Sequence, residues 1–260
     1  MKIGLALSSG GVLGAAHAGV IESLEKNHIK INSVCGTSVG AIAGVLYAAK
    51  GSDGIDEFFV QLDKLGIFTF KNVIRLRRPE RIFKQLEEII RKIVKVDRFD
   101  QLPIHFSCVA TDIISGEVKL FTTGDPVKCV IASAAYPGLF PIQKVGEHHY
   151  IDGGISLNLP VSPLKDQGVG FVIVSSVYKL ADFNKQLRRP SRVQIASRAF
   201  DIMESRINAY ELDKADFVFT PMVQEFSWYD FSQMPRIRET GRLYAHERVK
   251  DLVKQLEKKS

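Results

Sequence analysis

Ile31-Asn32-Ser33-Val34-Cys35-Gly36-Thr37-Ser38-Val39-Gly40-Ala41-Ile42-Ala43-Gly44 carries an apolar strand through Gly-x-Ser-x-Gly into a helix built of small residues. A serine hydroxyl is a poor nucleophile unless it is exposed, held in place and close to a base, and a sharp strand-to-helix turn supplies the first two. Gly36 and Gly40 flank Ser38, while Ala41, Ala43 and Gly44 thin the first helical turns so that the helix can lie close to neighbouring strands. Ser38 is therefore expected at a helix N-terminus, where free amides and the positive end of the dipole favour an oxyanion. The bare pattern also suits a glycine-bounded turn with a capping serine. The strand before it and the small-residue helix after it favour a nucleophile elbow.

Before this stretch, residues 2–8 form a short apolar strand, and Ser9-Gly10-Gly11-Val12-Leu13-Gly14 opens a helix over 15–26. A dinucleotide loop wants glycine where Ser9 stands, and an acid about twenty positions later to hold a ribose. Residues 34–36 fill that place without an acid, which argues against a nucleotide site. A glycine-rich turn also exposes backbone amides. If its strand lies beside that of Ser38, the amides of Gly10 and Gly11 become candidates for an oxyanion hole.

After the elbow helix, which reaches residue 50, the pattern predicts a helix over 55–65 and another from Pro79. On the latter, Ile82, Phe83, Leu86, Ile89, Ile90, Ile93 and Val94 share one face against Arg81, Lys84, Arg91, Lys92 and Lys95. Alternating β-formers predict a hairpin over 105–111 and 117–122, Asp125 caps a helix to residue 135, and Leu139-Phe140-Pro141 continues as a rigid apolar loop. A strand over 148–152 ends in Asp152-Gly153-Gly154, whose glycines let the chain turn and expose the acid; a common Asp-Gly turn would look the same. The run 171–177 reads as a strand buried on both faces. A helix over 191–212, a short strand over 217–219 and a helix over 237–258 complete the chain. Phe226, Trp228, Tyr229 and Phe231 read as core or rim packing. Helices alternating with apolar strands imply an α/β protein, a three-layer sandwich around a largely parallel sheet.

At 260 residues with 45% hydrophobic content the chain can bury a large core, and with no linker, repeat or low-complexity tract a single domain over 1–260 is expected. Cys35, Cys108 and Cys129 have the spacing of neither a disulfide framework nor a zinc site, and they read as reduced core thiols. No metal or cofactor is expected. The first apolar run is too short for a signal peptide and no later run approaches membrane-spanning length, so the expected location is the cytoplasm, with any membrane contact peripheral. The net charge of +6 sits in the segment 71–98, from Lys71 to Arg98, which holds ten basic and four acidic residues. Two readings of that segment remain: a solvated face on a core helix, or a peripheral contact with anionic membrane. No motif there suggests nucleic acid.

Four stretches now stand in order: the loop Ser9-Gly10-Gly11-Val12-Leu13-Gly14, Gly36-Thr37-Ser38-Val39-Gly40, Ser133-Ala134-Ala135-Tyr136-Pro137-Gly138-Leu139-Phe140-Pro141, and Asp152-Gly153-Gly154 with Asn158-Leu159-Pro160-Val161 behind it. In that order they resemble the patatin-like phospholipase family over residues 2–161. The resemblance implies a serine acyl-ester hydrolase acting on lipids through a Ser-Asp dyad without histidine. Ser38 would be the nucleophile, Asp152 the base, and Gly10, Gly11 and Val12 the oxyanion donors. The glycine loop departs from the family pattern, with Ser9 in place of a glycine and Leu13 in place of a basic residue. Backbone donors survive both changes, while a cation suited to an anionic head group is lost. A non-catalytic binding module of the same fold and a nucleotide-binding protein are the competing readings.

Overall fold

The computed structural model describes residues 1–69, 79–178 and 192–259. Short runs of β-formers make eight strands of one sheet: β1 (Ile3–Leu7), β2 (Ser33–Thr37), β3 (His105–Asp112), β4 (Val118–Phe121), β5 (Gln143–Val145), β6 (His148–Asp152), β7 (Phe171–Ser175) and β8 (Phe217–Phe219). Between them run α1 (Ala15–Lys26), α2 (Val39–Lys50), α3 (Ser52–Lys64), α4 (Pro79–Val94), α5 (Pro126–Ser133), α6 (Val161–Asp166), α7 (Arg192–Leu212) and α8 (Met234–Lys259). Strands β3, β2, β1, β7 and β8 lie side by side in parallel, so the sheet is largely parallel as expected.

Successive side chains of each strand point to opposite faces, and two cores result. Leu5, Leu7, Val34, Phe106 and Ile173 meet α1 to α5 and α8 on one face. Ala6, Cys35, Val109, Val172 and Val174 meet Val161 and Leu164 of α6 on the other. The thinner second layer contains an element that sequence reading missed. Helix α6 is six residues long, starts after Pro160, and has its first amides, Val161 and Ser162, capped by Glu211 of α7. That cap lies about fifty residues away and leaves no local signal. Strand β5 was likewise missed, since the polar Gln143-Lys144-Val145 becomes a strand only by pairing with β6 across a turn at Gly146.

The register at β3 positions the rest of the site. Strand β4 takes one side of β3 from Cys108 to Thr111, so β2 and β6 share the other. Parallel β2 ends with Thr37 beside Val109, and antiparallel β6 ends with Asp152 beside Ala110. Two strands running in opposite directions thus stop at consecutive residues of β3, so that Ser38, just past β2, meets Asp152, the last residue of β6.

On α4 the expected apolar stripe is buried: Ile90 and Ile93 are fully enclosed, while Arg81, Lys84, Lys92 and Lys95 face solvent. This half of the basic segment is a core-facing helix with a solvated outer face; residues 70–78 lie outside the described residues. Ile93→Ala is expected to lower the unfolding free energy by about 2–5 kcal/mol, against no more than about 0.5 kcal/mol for Lys84→Ala. Urea melts of both variants check this, and equally small losses would mean that the stripe is not packed.

Candidate active site

Ser38 sits at the junction of β2 and α2 with φ 57° and ψ −121°, a left-handed conformation that a non-glycine residue holds only where its surroundings impose it. The neighbours impose it by close backbone approach. A Cβ on Gly36 would lie 2.2 Å from the Gly40 carbonyl oxygen, and one on Gly40 would lie 2.4 Å from that of Leu7, so neither position admits a side chain. A buried relay finishes the bend: the Ser38 amide donates to Ser133 Oγ at 2.8 Å, and that hydroxyl donates to the Val109 carbonyl at 2.5 Å. Ser133 stands in one of the family-like stretches, yet nothing local to it indicated this role.

The Ser38 hydroxyl donates to Asp152 Oδ2 at 2.6 Å. The other carboxylate oxygen accepts from the Gly154 amide at 2.8 Å, and Thr111 Oγ1 donates to the Asp152 carbonyl at 2.9 Å. Asp152 is buried, and burial raises its carboxyl to about 6 against the opposing bonds from Ser38 and Gly154. A carboxylate held this way can accept a proton near neutral pH, which an ordinary aspartate does poorly.

The glycine loop runs above them, with Gly10 at φ 152° and Gly11 at φ 54°. Behind it lies His17, also unforeseen. It is fully buried and kept neutral, its ring lowered to about 4 by burial, with Nε2 donating to the Ser8 carbonyl at 2.9 Å and Nδ1 accepting from Ser175 Oγ at 2.8 Å. Ser9 is tied down too, its hydroxyl accepting from Asn158 Nδ2 at 2.7 Å. Gly10 and Gly11 line the same cavity as Ser38. So does Val12, but its amide is not available as the resemblance implied: it donates to the Trp228 carbonyl at 2.9 Å. The loop after β8 approaches so closely that a Cβ on Gly11 would lie 2.7 Å from that same oxygen.

The cavity encloses about 200 Å³. Phe58 and Leu62 of α3, Phe83 and Leu86 of α4, Leu139 and Phe140 form apolar wall, and Trp228 and Phe231 close the rim. The two aromatics thus border the cavity and do more than pack. Its titratable lining comprises Asp152, Tyr136, Tyr178 and Glu204, with no histidine among the described residues. His148 pairs with Asp112 at 2.9 Å away from it, and His246 is exposed on α8. Among the described residues no group of His, Cys, Asp or Glu could hold a metal ion, and no helix is long and apolar enough to cross a membrane. The three cysteines are free and buried.

Fold and site define an α/β protein that holds a serine against a buried carboxylate at the head of an apolar cavity. The chain belongs to the patatin-like phospholipase family, whose model matches residues 5–165. An uncharacterized NTE family protein of Mycobacterium tuberculosis is 29% identical over 272 residues, covering 94% of this chain and 46% of the relative. A second protein of that name and species is 33% identical over 183 residues, covering 68% of this chain and 49% of the relative. Lysophospholipase NTE1 of Meyerozyma guilliermondii is 26% identical over 276 residues, covering 94% of this chain and 19% of the relative. The chain thus spans about half the length of the mycobacterial relatives it matches. VipD from Legionella pneumophila has the same fold, with a TM-score of 0.52 at 16% identity over 95% of this chain and 66% of VipD. So does the ExoU–SpcU complex of Pseudomonas aeruginosa, at 0.52 and 18% over 99% of this chain and 52% of that one.

The raised carboxyl has a sign that can be checked. Between pH 3.8 and about 6 the folded chain keeps a proton on Asp152 that the unfolded chain has released, so this group makes folding less favourable as pH rises through that window. Asp152→Asn removes the charge and keeps an acceptor for Gly154. It is expected to raise the unfolding free energy near neutral pH by on the order of 1–3 kcal/mol, with the gain vanishing toward pH 4. Urea melts at the two pH values test this; a variant destabilised at both would show that the carboxylate is stabilising where it stands.

Proposed function

We propose that this chain is a serine acyl-ester hydrolase acting on lipids, of the phospholipase A, lysophospholipase or esterase type. The observation that carries the reading is the 2.6 Å hydrogen bond from Ser38 Oγ to a buried carboxylate whose proton affinity burial has raised. In the proposed reaction Asp152 takes the hydroxyl proton as Ser38 Oγ attacks the ester carbonyl, and the bend at Ser38 is the nucleophile elbow. The amides of Gly10 and Gly11 stabilise the oxyanion, and Asp152 returns its proton to the leaving alcohol. Water, deprotonated by Asp152, then releases the acid and restores the serine. The apolar walls suit an acyl chain, and a relative named as a lysophospholipase is consistent with that substrate class.

Nucleotide binding is disfavoured by the same lining, since Asp152 and Glu204 put carboxylates where phosphates would sit. The non-catalytic alternative has one observation behind it, the Trp228 carbonyl seated on the Val12 amide. The exposed basic side chains of α4 support loose electrostatic attraction to anionic membrane, at roughly 1 kcal/mol for each one near the surface.

Ser38 is expected to be the only serine that acquires a covalent adduct from a fluorophosphonate probe, because only an activated hydroxyl beside oxyanion donors reacts quickly. Intact-mass and peptide mass spectrometry of wild type and Ser38→Ala decide it. Absent labelling, or labelling that persists in Ser38→Ala, would hand the site to the non-catalytic reading.

A further inference from the structure

Helix α7 carries apolar side chains on its exposed side. At 3.6 residues per turn, Ile195, Ala199, Ile202, Met203, Arg206 and Tyr210 share one stripe. That stripe faces out: Tyr210 is 67% exposed, Met203 55%, Ile195 54% and Ile202 37%. Among the described side chains on the inner side, Asn208 and Glu211 are buried, Glu204 lines the cavity and Leu212 packs against the second core. Glu211 faces inward because it caps the first amides of α6. The outward apolar residues are explained by nothing within the described residues.

We infer that the outer stripe of α7 is a docking face for a lipid bilayer, seating in the headgroup region on a helix that also lines the cavity. The inference rests on the lipid-substrate reading above. Three observations select a bilayer over another protein. First, 21 residues at about 1.5 Å each make a stripe some 30 Å long and one side chain wide. That is a few hundred Å², short of the roughly 800 Å² per partner of a stable protein pair but enough for a helix lying in the interface. Second, the charge on the stripe suits anionic lipid: Arg206 stands exposed within it, and Lys214, which is ion-paired with Glu211 at 3.0 Å, lies 3.7 Å from the centroid of the Tyr210 ring. A tyrosine with a neighbouring lysine suits the boundary between acyl chains and headgroups. Third, the same helix that carries the stripe lines the cavity through Glu204, so docking seats a wall of the cavity on the surface where lipid substrate resides.

The test uses Ser38→Ala protein throughout, so that vesicles are not consumed and the outcome is independent of hydrolysis. Binding to phosphatidylcholine vesicles with and without phosphatidylglycerol is measured by co-sedimentation. Met203→Glu/Tyr210→Glu is expected to weaken binding to the anionic vesicles at least about tenfold, whereas Lys84→Glu/Lys92→Glu on α4 lowers it less and mainly at low salt. Circular dichroism reports folding. In Trp228→Phe, which removes the single tryptophan, Met203→Trp is expected to show a blue-shifted emission on adding vesicles. Unchanged binding in the double variant, no emission shift, or no vesicle binding by the parent protein would each overturn the inference. A concentration-dependent dimer that the double variant dissociates would also overturn it, in favour of a second copy. Fluorophosphonate labelling of Ser38 is unaffected by any of these outcomes, so the two readings fail separately.

Discussion

Two strands of opposite direction ending at Val109 and Ala110 of one neighbour is the constraint on which the site depends. Hydrogen-bonded register is set in steps of one residue, and a slip by one would turn every side chain of β6 to the other face of the sheet. The register is held redundantly. Thr111 bonds the Asp152 carbonyl from β3, the Asp152 amide bonds Ala135 beyond the end of α5, and Ser133 ties the Ser38 amide back to Val109. Serine and carboxylate are thus fixed by backbone pairing, which is stiffer than any contact between long side chains.

That stiffness bears on how a pair of residues could do the work usually shared by three. A histidine is a good base near neutral pH because its ordinary affinity for protons suits the task. Here burial moves a carboxyl toward the same range, and this requires a dry, enclosed place for Asp152. The glycine turn after β6 provides one. A Cβ on Gly153 would lie 2.2 Å from the Val109 carbonyl oxygen, so the chain closes over the acid without room for water-admitting side chains. The neutral imidazole of His17 is used for another purpose, bracing the strand end from which the glycine loop departs.

Much of this was legible where the signal is local. Gly36, Gly40 and the small residues of α2 announce the bend at Ser38; Asp125 caps α5 as read, bonding the Val127 and Lys128 amides; and the apolar stripe of α4 is buried as its spacing implied. What escaped depends on partners distant in the chain. Helix α6 owes its first turn to Glu211, β5 exists through β6, and Ser133 and His17 act on backbone that only folding brings near. Trp228 is the clearest case, since its role at the glycine loop is played by its carbonyl, which every residue has. The outward stripe of α7 escaped because periodicity shows that a helix has two faces without showing which one meets the core.

The measurement that tests the account most directly is the hydrolysis of a short p-nitrophenyl ester by folded Asp152→Asn, beside His246→Ala. The asparagine keeps an acceptor for the Gly154 amide, but its own amide group donates toward Ser38 Oγ and cannot take the proton, so the account predicts a loss in kcat/KM of at least about a hundredfold, with His246→Ala keeping most of the activity. Near wild-type turnover in Asp152→Asn, or loss of activity in a folded His246→Ala, would contradict the claim that Ser38 and Asp152 act as a pair.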